Sequence, residues 1–292
     1  MNQVKRPRKN QWLSECDDVL RGTAGGFLFG IPLLYTMEVW FIGSQATPSE
    51  MIVVLAVTFI VVFLINRTAG FRKSQADGFV GTAMDSIEAL AIGLVCSTIM
   101  LILLQEITLE VSLKEALGKA IFESVPFTFG VAIASEFLKG EPNEDGNSQK
   151  HKPKQQNKDE LNATLADTGA TLIGAVIIAF NIAPTDEIPM LAAAVSSSWL
   201  LALMVASLLI SYNIVFEADF ANQYKRQQQR GIFQRPLSET IASYLVSLVA
   251  SSLMLYFFHK LTFADPWSTW LSYTILLGLP ATIGGAAGRL TI

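Results

Sequence analysis

Residues 85–132, DSIEALAIGLVCSTIMLILLQEITLEVSLKEALGKAIFESVPFTFGVA, and residues 239–286, ETIASYLVSLVASSLMLYFFHKLTFADPWSTWLSYTILLGLPATIGGA, read as one pattern written twice. A shift of 154 residues lays the first on the second without a gap. Val95, Ser97, Met100, Leu101 and Thr108 fall on Val249, Ser251, Met254, Leu255 and Thr262. Pro126, Thr128, Gly130 and Ala132 fall on Pro280, Thr282, Gly284 and Ala286, and 13 of the 48 positions are identical. The match runs through two apolar segments and the loop between them. That continuity argues for a duplication, and internal repeats among apolar segments point to transport folds.

The chain of 292 residues is 51% hydrophobic and 16% charged, against about 25% charged in a soluble domain. Its mean hydropathy is +0.41. The charges sit in short clusters between apolar stretches of about 20 residues, the length that crosses a bilayer core. Cys16 and Cys96 form neither a disulfide framework nor a metal spacing. The net charge of −4 says little, because orientation follows the placement of Lys and Arg.

The expected fold is an all-α integral membrane protein with eight spans, at 23–43, 50–66, 79–105, 117–138, 163–183, 188–215, 238–258 and 268–288. Gly43–Ser44, Pro48–Ser49 and Asp265–Pro266 punctuate the outer turns. Basic residues gather before span 1 (Lys5, Arg6, Arg8, Lys9, Arg21), after span 2 (Arg67, Arg72, Lys73), after span 4 (Lys139, Lys150, Lys152, Lys154, Lys158), after span 6 (Lys225, Arg226, Arg230, Arg235) and after span 8 (Arg289). The alternate loops are poorer in them, though Lys114, Lys119, His259 and Lys260 interrupt two. The positive-inside rule then predicts both termini in the cytoplasm. Span 1 is long enough to cross, and no small-residue cleavage site follows it, so no cleaved signal peptide is expected.

Four regions follow: an N-terminal segment 1–22, a four-helix repeat 23–138, a flexible linker 139–162 and a second four-helix repeat 163–292. The stretch 140–160 is polar almost throughout and cannot bury enough surface to fold. Four spans is an even number, so both halves enter the membrane from one side. The repeat is therefore expected to be parallel, about an axis along the membrane normal. Spans 1 and 5 correspond through Gly25 and Gly30 falling on Gly169 and Gly174.

The run Gly25-Gly26-Phe-Leu-Phe-Gly30-Ile-Pro32-Leu-Leu-Tyr35-Thr-Met-Glu38-Val-Trp40 resembles the opening motif of a family of bacterial integral membrane proteins, a domain of unknown function. The resemblance extends over most of the chain. It implies membrane location and brings no substrate.

An ionisable side chain at a span centre costs at least about 2.5–3.5 kcal/mol on insertion scales, so each one needs a reason. Glu38 lies in the outer third of span 1, and Glu123 lies in the outer part of span 4, three residues before Pro126. Proline removes a backbone donor and frees a carbonyl. Glu38, Glu123 and Tyr35 are therefore expected to form an outer, oxygen-rich site for a small cation or protons. Glutamates at the membrane interface touching water are the alternative. An inner set comprises Asp85 and Glu88, one turn apart on a face, with Glu136, Asp167 and Glu239. Asp85 and Glu239 are repeat equivalents. Helix capping accounts for Asp167 and Glu239. It accounts poorly for Glu88 and not for Glu136. The counterparts of Glu88 and Glu123 are Ala242 and Leu277, which weights the working site toward the first half.

Weaker signals remain. Gly26-xxx-Gly30 and Gly284-xxx-Gly288 allow close helix contact. Trp40, Trp267 and Trp270 fit an aromatic belt. Asn181, Asn213 and Ser196-Ser197-Ser198 bond between helices or line a path. Pro184–Glu187 forms a turn or attracts cations. The reading is a transporter or channel for a small cation or protons. A non-transporting scaffold or sensor is the alternative, with an intramembrane enzyme behind it. The only histidines are His151 and His259, and no Asp clusters of the Mg²⁺-diphosphate kind occur. No cofactor and no nucleic-acid partner are expected. The lipid bilayer is the expected partner, and a homo-oligomer is left open, as is a metal.

Overall fold

The computed structural model describes residues 11–68, 78–137, 156–217 and 236–290. Among the described residues every regular element is helical. In chain order they are α1 (Gln11–Leu34), α2 (Met37–Gln45), α3 (Pro48–Thr68), α4 (Phe79–Leu103), α5 (Leu113–Phe137), α6 (Gln156–Ile182), α7 (Glu187–Ala194), α8 (Ser197–Tyr212), α9 (Pro236–Phe257) and α10 (Trp267–Leu290). A π-helical turn, Asn213–Glu217, prolongs α8. Residues 139–155 of the expected linker lie outside the described residues, and residues 156–162 already belong to α6.

Seven of these helices are each long and apolar enough to cross a membrane, and α1 with α2 makes an eighth if that bent pair is one span. The unbroken first span expected at 23–43 is corrected: α1 and α2 meet at 87°. The reason is local. Pro32 has no N–H for the carbonyl of Leu28. One turn on, the Leu33 carbonyl accepts the Thr36 amide at 3.0 Å and the Thr36 hydroxyl at 2.5 Å, so it does not continue the helix into Met37. The sixth span expected at 188–215 is corrected in the same way. Val195 and Ser196 are extended, and the Ser196 carbonyl takes the amides of Trp199 and Leu200. The serine run is a helix start, the place where such residues are favoured.

Packing follows the same order in both halves. The closest partner of α5 is α1 and that of α10 is α6; α4 then packs on α5 as α9 does on α10. The antiparallel pairs touch through glycine. A Cβ on Gly25 or Gly130 would strike the other's carbonyl, and Gly174 and Gly284 stand in the same relation. The partner of Gly25 by contact is thus Gly174, not the expected Gly169, where a Cβ would meet open space. That 149-residue shift also lays Thr36 and Glu38 on Thr185 and Glu187.

The turns after α4 and α9 agree in detail. Gln105 and His259, 154 residues apart, have φ of 63° and 59°, a left-handed conformation that costs a side-chain-bearing residue about 1–2 kcal/mol. The amides of Glu106 and Ile107 both reach the Leu101 carbonyl, as those of Lys260 and Leu261 reach Leu255. Between the halves, α1 packs on α10 and on the π-helical turn, and α4 touches α8. Phe27, Ile31, Leu34 and Tyr35 share one core with Leu276, Leu277, Leu279 and Ile283.

Candidate functional site: a buried carboxylate at a helix break

Lys119, Glu123 and Phe127 follow one another at single-turn spacing and share a face of α5. The helices α1 and α2 cover that face. Phe127 packs edge-on against Phe27 with ring centroids 6.1 Å apart, and its ring sits where a Gly30 Cβ would be. The Lys119 ammonium lies 5.6 Å over the Trp40 ring, and Gly43 meets the backbone of Gly118. Residues 35–36, where the helix breaks, fall between these contacts. Glu123 therefore lies level with the break.

Glu123 is 0% exposed, and neither of its carboxylate oxygens has a hydrogen-bond partner among the described residues. The Ser124 hydroxyl next to it is committed to the Ile121 carbonyl at 2.7 Å. Pro126 has no N–H to give the Phe122 carbonyl. The buried Thr128 hydroxyl, further along α5, also lacks a partner. A carboxyl group in such surroundings is held neutral by a proton or compensated by a cation, because an isolated buried charge is too costly. A single carboxylate balances one positive charge. Among the described residues, no three His, Cys, Asp or Glu side chains group as ligands for a metal ion.

Results

Sequence analysis

Residues 85–132, DSIEALAIGLVCSTIMLILLQEITLEVSLKEALGKAIFESVPFTFGVA, and residues 239–286, ETIASYLVSLVASSLMLYFFHKLTFADPWSTWLSYTILLGLPATIGGA, read as one pattern written twice. A shift of 154 residues lays the first on the second without a gap. Val95, Ser97, Met100, Leu101 and Thr108 fall on Val249, Ser251, Met254, Leu255 and Thr262. Pro126, Thr128, Gly130 and Ala132 fall on Pro280, Thr282, Gly284 and Ala286, and 13 of the 48 positions are identical. The match runs through two apolar segments and the loop between them. That continuity argues for a duplication, and internal repeats among apolar segments point to transport folds.

The chain of 292 residues is 51% hydrophobic and 16% charged, against about 25% charged in a soluble domain. Its mean hydropathy is +0.41. The charges sit in short clusters between apolar stretches of about 20 residues, the length that crosses a bilayer core. Cys16 and Cys96 form neither a disulfide framework nor a metal spacing. The net charge of −4 says little, because orientation follows the placement of Lys and Arg.

The expected fold is an all-α integral membrane protein with eight transmembrane helices, at 23–43, 50–66, 79–105, 117–138, 163–183, 188–215, 238–258 and 268–288. Gly43–Ser44, Pro48–Ser49 and Asp265–Pro266 punctuate the outer turns. Basic residues gather before span 1 (Lys5, Arg6, Arg8, Lys9, Arg21), after span 2 (Arg67, Arg72, Lys73) and after span 4 (Lys139, Lys150, Lys152, Lys154, Lys158). They gather again after span 6 (Lys225, Arg226, Arg230, Arg235) and span 8 (Arg289). The alternate loops are poorer in them, though Lys114, Lys119, His259 and Lys260 interrupt two. The positive-inside rule then predicts both termini in the cytoplasm. Span 1 is long enough to cross and no small-residue cleavage site follows it, so no cleaved signal peptide is expected.

Four regions follow: an N-terminal segment 1–22, a four-helix repeat 23–138, a flexible linker 139–162 and a second four-helix repeat 163–292. The stretch 140–160 is polar almost throughout and cannot bury enough surface to fold. Four spans is an even number, so both halves enter the membrane from one side. The two repeats are therefore expected to be parallel, about an axis along the membrane normal. Spans 1 and 5 correspond through Gly25 and Gly30 falling on Gly169 and Gly174.

The run Gly25-Gly26-Phe-Leu-Phe-Gly30-Ile-Pro32-Leu-Leu-Tyr35-Thr-Met-Glu38-Val-Trp40 resembles the opening motif of a family of bacterial integral membrane proteins, a domain of unknown function. The resemblance extends over most of the chain. It implies membrane location and brings no substrate.

An ionisable side chain at a span centre costs at least about 2.5–3.5 kcal/mol on insertion scales, so each one needs a reason. Glu38 lies in the outer third of span 1. Glu123 lies in the outer part of span 4, three residues before Pro126. Proline removes a backbone donor and frees a carbonyl. Glu38, Glu123 and Tyr35 are therefore expected to form an outer, oxygen-rich site for a small cation or protons. Glutamates at the membrane interface, touching water, are the alternative. An inner set comprises Asp85 and Glu88, one turn apart on one face, with Glu136, Asp167 and Glu239. Asp85 and Glu239 are repeat equivalents. Helix capping accounts for Asp167 and Glu239, accounts less well for Glu88 and does not account for Glu136. The counterparts of Glu88 and Glu123 are Ala242 and Leu277, which weights the working site toward the first half.

Weaker signals remain. Gly26-xxx-Gly30 and Gly284-xxx-Gly288 allow close helix contact. Trp40, Trp267 and Trp270 fit an aromatic belt. Asn181, Asn213 and Ser196-Ser197-Ser198 bond between helices or line a path. Pro184–Glu187 forms a turn or attracts cations. The reading is a transporter or channel for a small cation or protons. A non-transporting scaffold or sensor is the alternative, with an intramembrane enzyme behind it. The only histidines are His151 and His259, and Asp clusters of the kind that hold Mg²⁺ on a diphosphate are absent. No enzymatic activity, no cofactor and no nucleic-acid partner are expected. The lipid bilayer is the expected partner; a homo-oligomer and a bound metal are left open.

Overall fold

The computed structural model describes residues 11–68, 78–137, 156–217 and 236–290. Among the described residues every regular element is helical. In chain order they are α1 (Gln11–Leu34), α2 (Met37–Gln45), α3 (Pro48–Thr68), α4 (Phe79–Leu103), α5 (Leu113–Phe137), α6 (Gln156–Ile182), α7 (Glu187–Ala194), α8 (Ser197–Tyr212), α9 (Pro236–Phe257) and α10 (Trp267–Leu290). A π-helical turn, Asn213–Glu217, prolongs α8. Residues 139–155 of the expected linker lie outside the described residues, and residues 156–162 already belong to α6.

Seven of these helices are each long and apolar enough to cross a membrane, and α1 with α2 makes an eighth if that bent pair is one span. The unbroken first span expected at 23–43 is corrected: α1 and α2 meet at 87°. The reason is local. Pro32 has no N–H for the carbonyl of Leu28. One turn on, the Leu33 carbonyl accepts the Thr36 amide at 3.0 Å and the Thr36 hydroxyl at 2.5 Å, a competing bond that ends the helix before Met37. The sixth span expected at 188–215 is corrected in the same way. Val195 and Ser196 are extended, and the Ser196 carbonyl takes the amides of Trp199 and Leu200. The serine run is a helix start, a place where such residues are favoured.

Packing follows the same order in both halves. The closest partner of α5 is α1 and that of α10 is α6; α4 packs on α5 as α9 does on α10. The antiparallel pairs touch through glycine. A Cβ on Gly25 or Gly130 would strike the other's carbonyl, and Gly174 and Gly284 stand in the same relation. By contact, then, Gly25 corresponds to Gly174 and not to the expected Gly169, where a Cβ would meet open space. That 149-residue shift also lays Thr36 and Glu38 on Thr185 and Glu187.

The turns after α4 and α9 agree in detail. Gln105 and His259, 154 residues apart, have φ of 63° and 59°, a left-handed conformation that costs a side-chain-bearing residue about 1–2 kcal/mol. The amides of Glu106 and Ile107 both reach the Leu101 carbonyl, as those of Lys260 and Leu261 reach Leu255. Between the halves, α1 packs on α10 and on the π-helical turn, and α4 touches α8. Phe27, Ile31, Leu34 and Tyr35 share one core with Leu276, Leu277, Leu279 and Ile283.

Candidate functional site: a buried carboxylate at a helix break

Lys119, Glu123 and Phe127 follow one another at single-turn spacing and share a face of α5. The helices α1 and α2 cover that face. Phe127 packs edge-on against Phe27 with ring centroids 6.1 Å apart, and its ring sits where a Gly30 Cβ would be. The Lys119 ammonium lies 5.6 Å from the centroid of the Trp40 ring, and Gly43 meets the backbone of Gly118. Residues 35–36, where the helix breaks, fall between these contacts. Glu123 therefore lies level with the break.

Glu123 is 0% exposed, and neither of its carboxylate oxygens has a hydrogen-bond partner among the described residues. The neighbouring Ser124 hydroxyl is committed to the Ile121 carbonyl at 2.7 Å. Pro126 has no N–H to give the Phe122 carbonyl. A carboxyl group in such surroundings is held neutral by a proton or compensated by a cation, because an isolated buried charge is too costly. One carboxylate balances one positive charge. Among the described residues, no three His, Cys, Asp or Glu side chains group as ligands for a metal ion.

Lys119 reads in the sequence as an interruption of a loop; the structure buries it in α5, one turn from Glu123 toward the α4–α5 turn. Its ammonium donates to the Glu106 carbonyl at 3.0 Å and meets the carboxylates of Glu106 at 3.3 Å and Glu115 at 3.1 Å. It is thereby held toward the α4–α5 turn and makes no hydrogen bond to Glu123. Burial pushes the Glu106 carboxyl above the usual carboxylate range, and the Lys119 charge only partly offsets that rise.

The other expected site residues are dispersed. Glu38 is exposed in the first turn of α2, where the helix dipole favours an acid, and no hydrogen bond joins it to Glu123. Tyr35 is buried, and its hydroxyl donates to the Leu276 carbonyl of α10 at 2.7 Å. That carbonyl is the one Pro280 leaves without an amide, so Tyr35 ties the break in one half to the proline of the other. Asp85 is buried and Glu88 half-buried near the start of α4, at the opposite end of the bundle. Glu136 lies in the last turn of α5, and its side chain is outside the described residues.

Sequence reasoning missed the buried base. Arg289, read as a flanking charge, is fully buried. It meets Glu239 at 3.1 Å and donates to the Ser211 hydroxyl at 3.3 Å. Near the start of α1, Arg21 is likewise buried and pairs with Asp18 at 3.0 Å. The second pair was readable, since its members are one helical turn apart; the first joins residues far apart in the chain. Asn213 donates to the Leu20 carbonyl at 3.2 Å and so bonds between the halves, whereas Asn181 bonds within its own helix. Asp186 of the expected turn receives Lys260 at 2.6 Å.

The sequence matches the family described as "Putative integral membrane protein (DUF2391)" over residues 18–292. No curated protein and no solved structure matches it.

Proposed function

Since the chain belongs to the DUF2391 family of integral membrane proteins, we propose that it carries protons or a small monovalent cation across the membrane, with Glu123 as the charge-exchanging group. The observation that supports this reading is the burial of Glu123 with both oxygens unpartnered. A structural role would have given it a donor, as Arg289 has in Glu239 a carboxylate to pair with. The helix break level with Glu123 strengthens the reading, because discontinuous helices near the middle of a transporter supply backbone groups to ions. A divalent ion is disfavoured, since it asks for more carboxylates than the one Glu123 supplies.

The fold is read in the same terms. Two halves, each a long helix, a short helix and three further helices in that order, are proposed to be parallel repeats. The matched Gln105 and His259 turns and the matched glycine contacts support this. The basic residues around the chain ends orient that end toward the cytoplasm. Transport, not catalysis, is the proposed activity.

Purified protein in proteoliposomes tests the reading, with a pH-sensitive or alkali-cation-sensitive dye inside. Flux of protons, Na⁺ or K⁺ that Glu123→Gln abolishes is the expected result. Absence of flux for all three would leave a scaffold or sensor, and wild-type flux in Glu123→Gln would remove Glu123 from the mechanism.

A further inference from the structure

We infer that the chain self-associates head to tail: the α6 face of one copy docks on the α3–α5 face of a second copy, in the register by which α1 already docks on α10 and the π-helical turn within one chain. The inference rests on the correspondence of positions between the halves and is independent of what Glu123 carries.

One half covers a surface that the other leaves bare. Ala24 and Ile31 of α1 are each 0% exposed, and Tyr35 is 2% exposed. The 149-residue shift set by Gly25 and Gly174 takes them to Ile173, Phe180 and Pro184. Ile173 is 63% exposed, Phe180 is 51% exposed and Pro184 is exposed. Beside them α6 and α10 form an apolar groove of about 590 Å³, with Gly169, Gly174 and Gly288 in its lining. Glycines of this kind let a second helix approach closely in lipid.

The complementary surface is bare as well. Leu276, Leu279, Pro280 and Ile283 of α10 are buried in the core that α1 completes. Their counterparts on α5, Phe122, Val125, Pro126 and Phe129, are only half-buried. The π-helical turn holds the Leu20 carbonyl through Asn213. The shift takes Asn213 to Leu64, which is 58% exposed on α3. Each half thus carries both surfaces, and only one complementary pair is used within the chain. A heterologous contact of this kind repeats until it closes a ring or runs on as a chain. It also suits a membrane, because halves that dock in the same orientation relative to the bilayer can only place successive copies in that orientation.

The occupant is therefore a second copy of this chain, and the register names the contacts. Tyr35 against Leu276 becomes Pro184 against Phe122 of the next copy. Leu20 against Asn213 becomes Gly169 against Leu64 of the next copy. In a background of Cys16→Ser and Cys96→Ser, chains carrying one cysteine each and different tags are co-expressed in membranes and oxidised. Pro184→Cys with Phe122→Cys should give a tagged heterodimer, as should Gly169→Cys with Leu64→Cys. Pro184→Cys with Leu64→Cys should not, since those positions lie at opposite ends of the bundle. Mass measurement of the wild type in nanodiscs should show a dimer or larger species. Gly169→Trp, accommodated by open space in a single copy, should convert that species to monomer with unchanged thermal unfolding of the helices. A wild type that is monomeric with lipid alone against α6, or cross-linking no stronger than the opposite-end control, overturns the inference.

Discussion

The two halves pack their helices in the same order and differ in where they bury a charge. The helix α5 holds Glu123, an acid with no hydrogen-bond partner among the described residues, level with a helix break. The helix α10 has Leu277 at that position and holds its buried charge, Arg289, in its last turn, bonded to Glu239 and Ser211. A paired charge at a helix end returns stability to the fold. An unpaired acid inside the bundle returns none and needs another reason to be there. On the proposed reading, Glu123 of α5 serves exchange, whereas Arg289 of α10 fastens the scaffold.

The comparison breaks most visibly in flux. Glu123→Gln keeps the shape and removes the charge, so flux should fall at least about tenfold, the effect of losing a group worth about 1.4 kcal/mol or more to the rate-limiting step. Unfolding should be unchanged or shift upward, because a buried ionisable group is costly. Leu277→Glu, the mirror change, should create no new flux and should destabilise the protein. Flux gained from Leu277→Glu would show the halves to be interchangeable and would defeat the comparison.

At the other buried charge the readout is stability. Glu239→Gln removes the charged carboxylate that meets the fully buried Arg289 at 3.1 Å. Removing one member of a buried pair costs about 3–5 kcal/mol. Denaturation in detergent should show a loss of that order with flux per folded molecule retained. An unfolding midpoint equal to wild type would mean that the Glu239 charge is not what holds Arg289. Between these two extremes stand the glycines that are common to both halves. Gly130→Ala and Gly284→Ala each place a methyl against a facing carbonyl. Overpacking of this kind costs about 1–3 kcal/mol, and the two losses should be alike. A loss confined to one half would show that the helix pairs tolerate separation differently.

The helical class with its apolar spans was readable from the chain, because stretches of about 20 apolar residues leave few alternatives. Pro126 with Pro280 and Gly130 with Gly284 are matched by spacing alone, and the repeat they point to is a proposal. The helix break at 35–36 was not readable: Tyr-Thr-Met is compatible with a continuing apolar helix. There Thr36 caps the Leu33 carbonyl and Tyr35 bonds a residue 241 positions away. The contrast between Glu38 and Glu123 was hidden for a related reason. Both sit at similar positions in apolar segments, and only the packing of α1 and α2 over α5 decides that one is exposed and the other enclosed. Arg289 was misread because its carboxylate arrives from the first turn of another helix.

The smallest expected difference lies in the two matched turns, and it has opposite signs with pH. In the first, burial holds the Glu106 carboxyl above the usual range. In the second, the Thr262 hydroxyl at 2.7 Å and amide at 2.6 Å hold the exposed Asp265 carboxyl below it. A group whose pKa is raised by folding binds protons more readily in the folded state. Its contribution to stability is present below the unfolded pKa and is lost as pH rises through the raised value. A group whose pKa is lowered contributes above the unfolded pKa, and that contribution is lost as pH falls through the lowered value. Glu106→Gln should therefore gain stability relative to wild type as pH rises from the acid side toward neutrality. Asp265→Asn should lose stability relative to wild type over the same rise. Thermal unfolding of the three proteins across that range gives two difference curves, which should slope in opposite directions. Parallel slopes would mean that the two turns, alike in backbone, are also alike in electrostatics, and that the asymmetry of the halves is confined to the bundle interior.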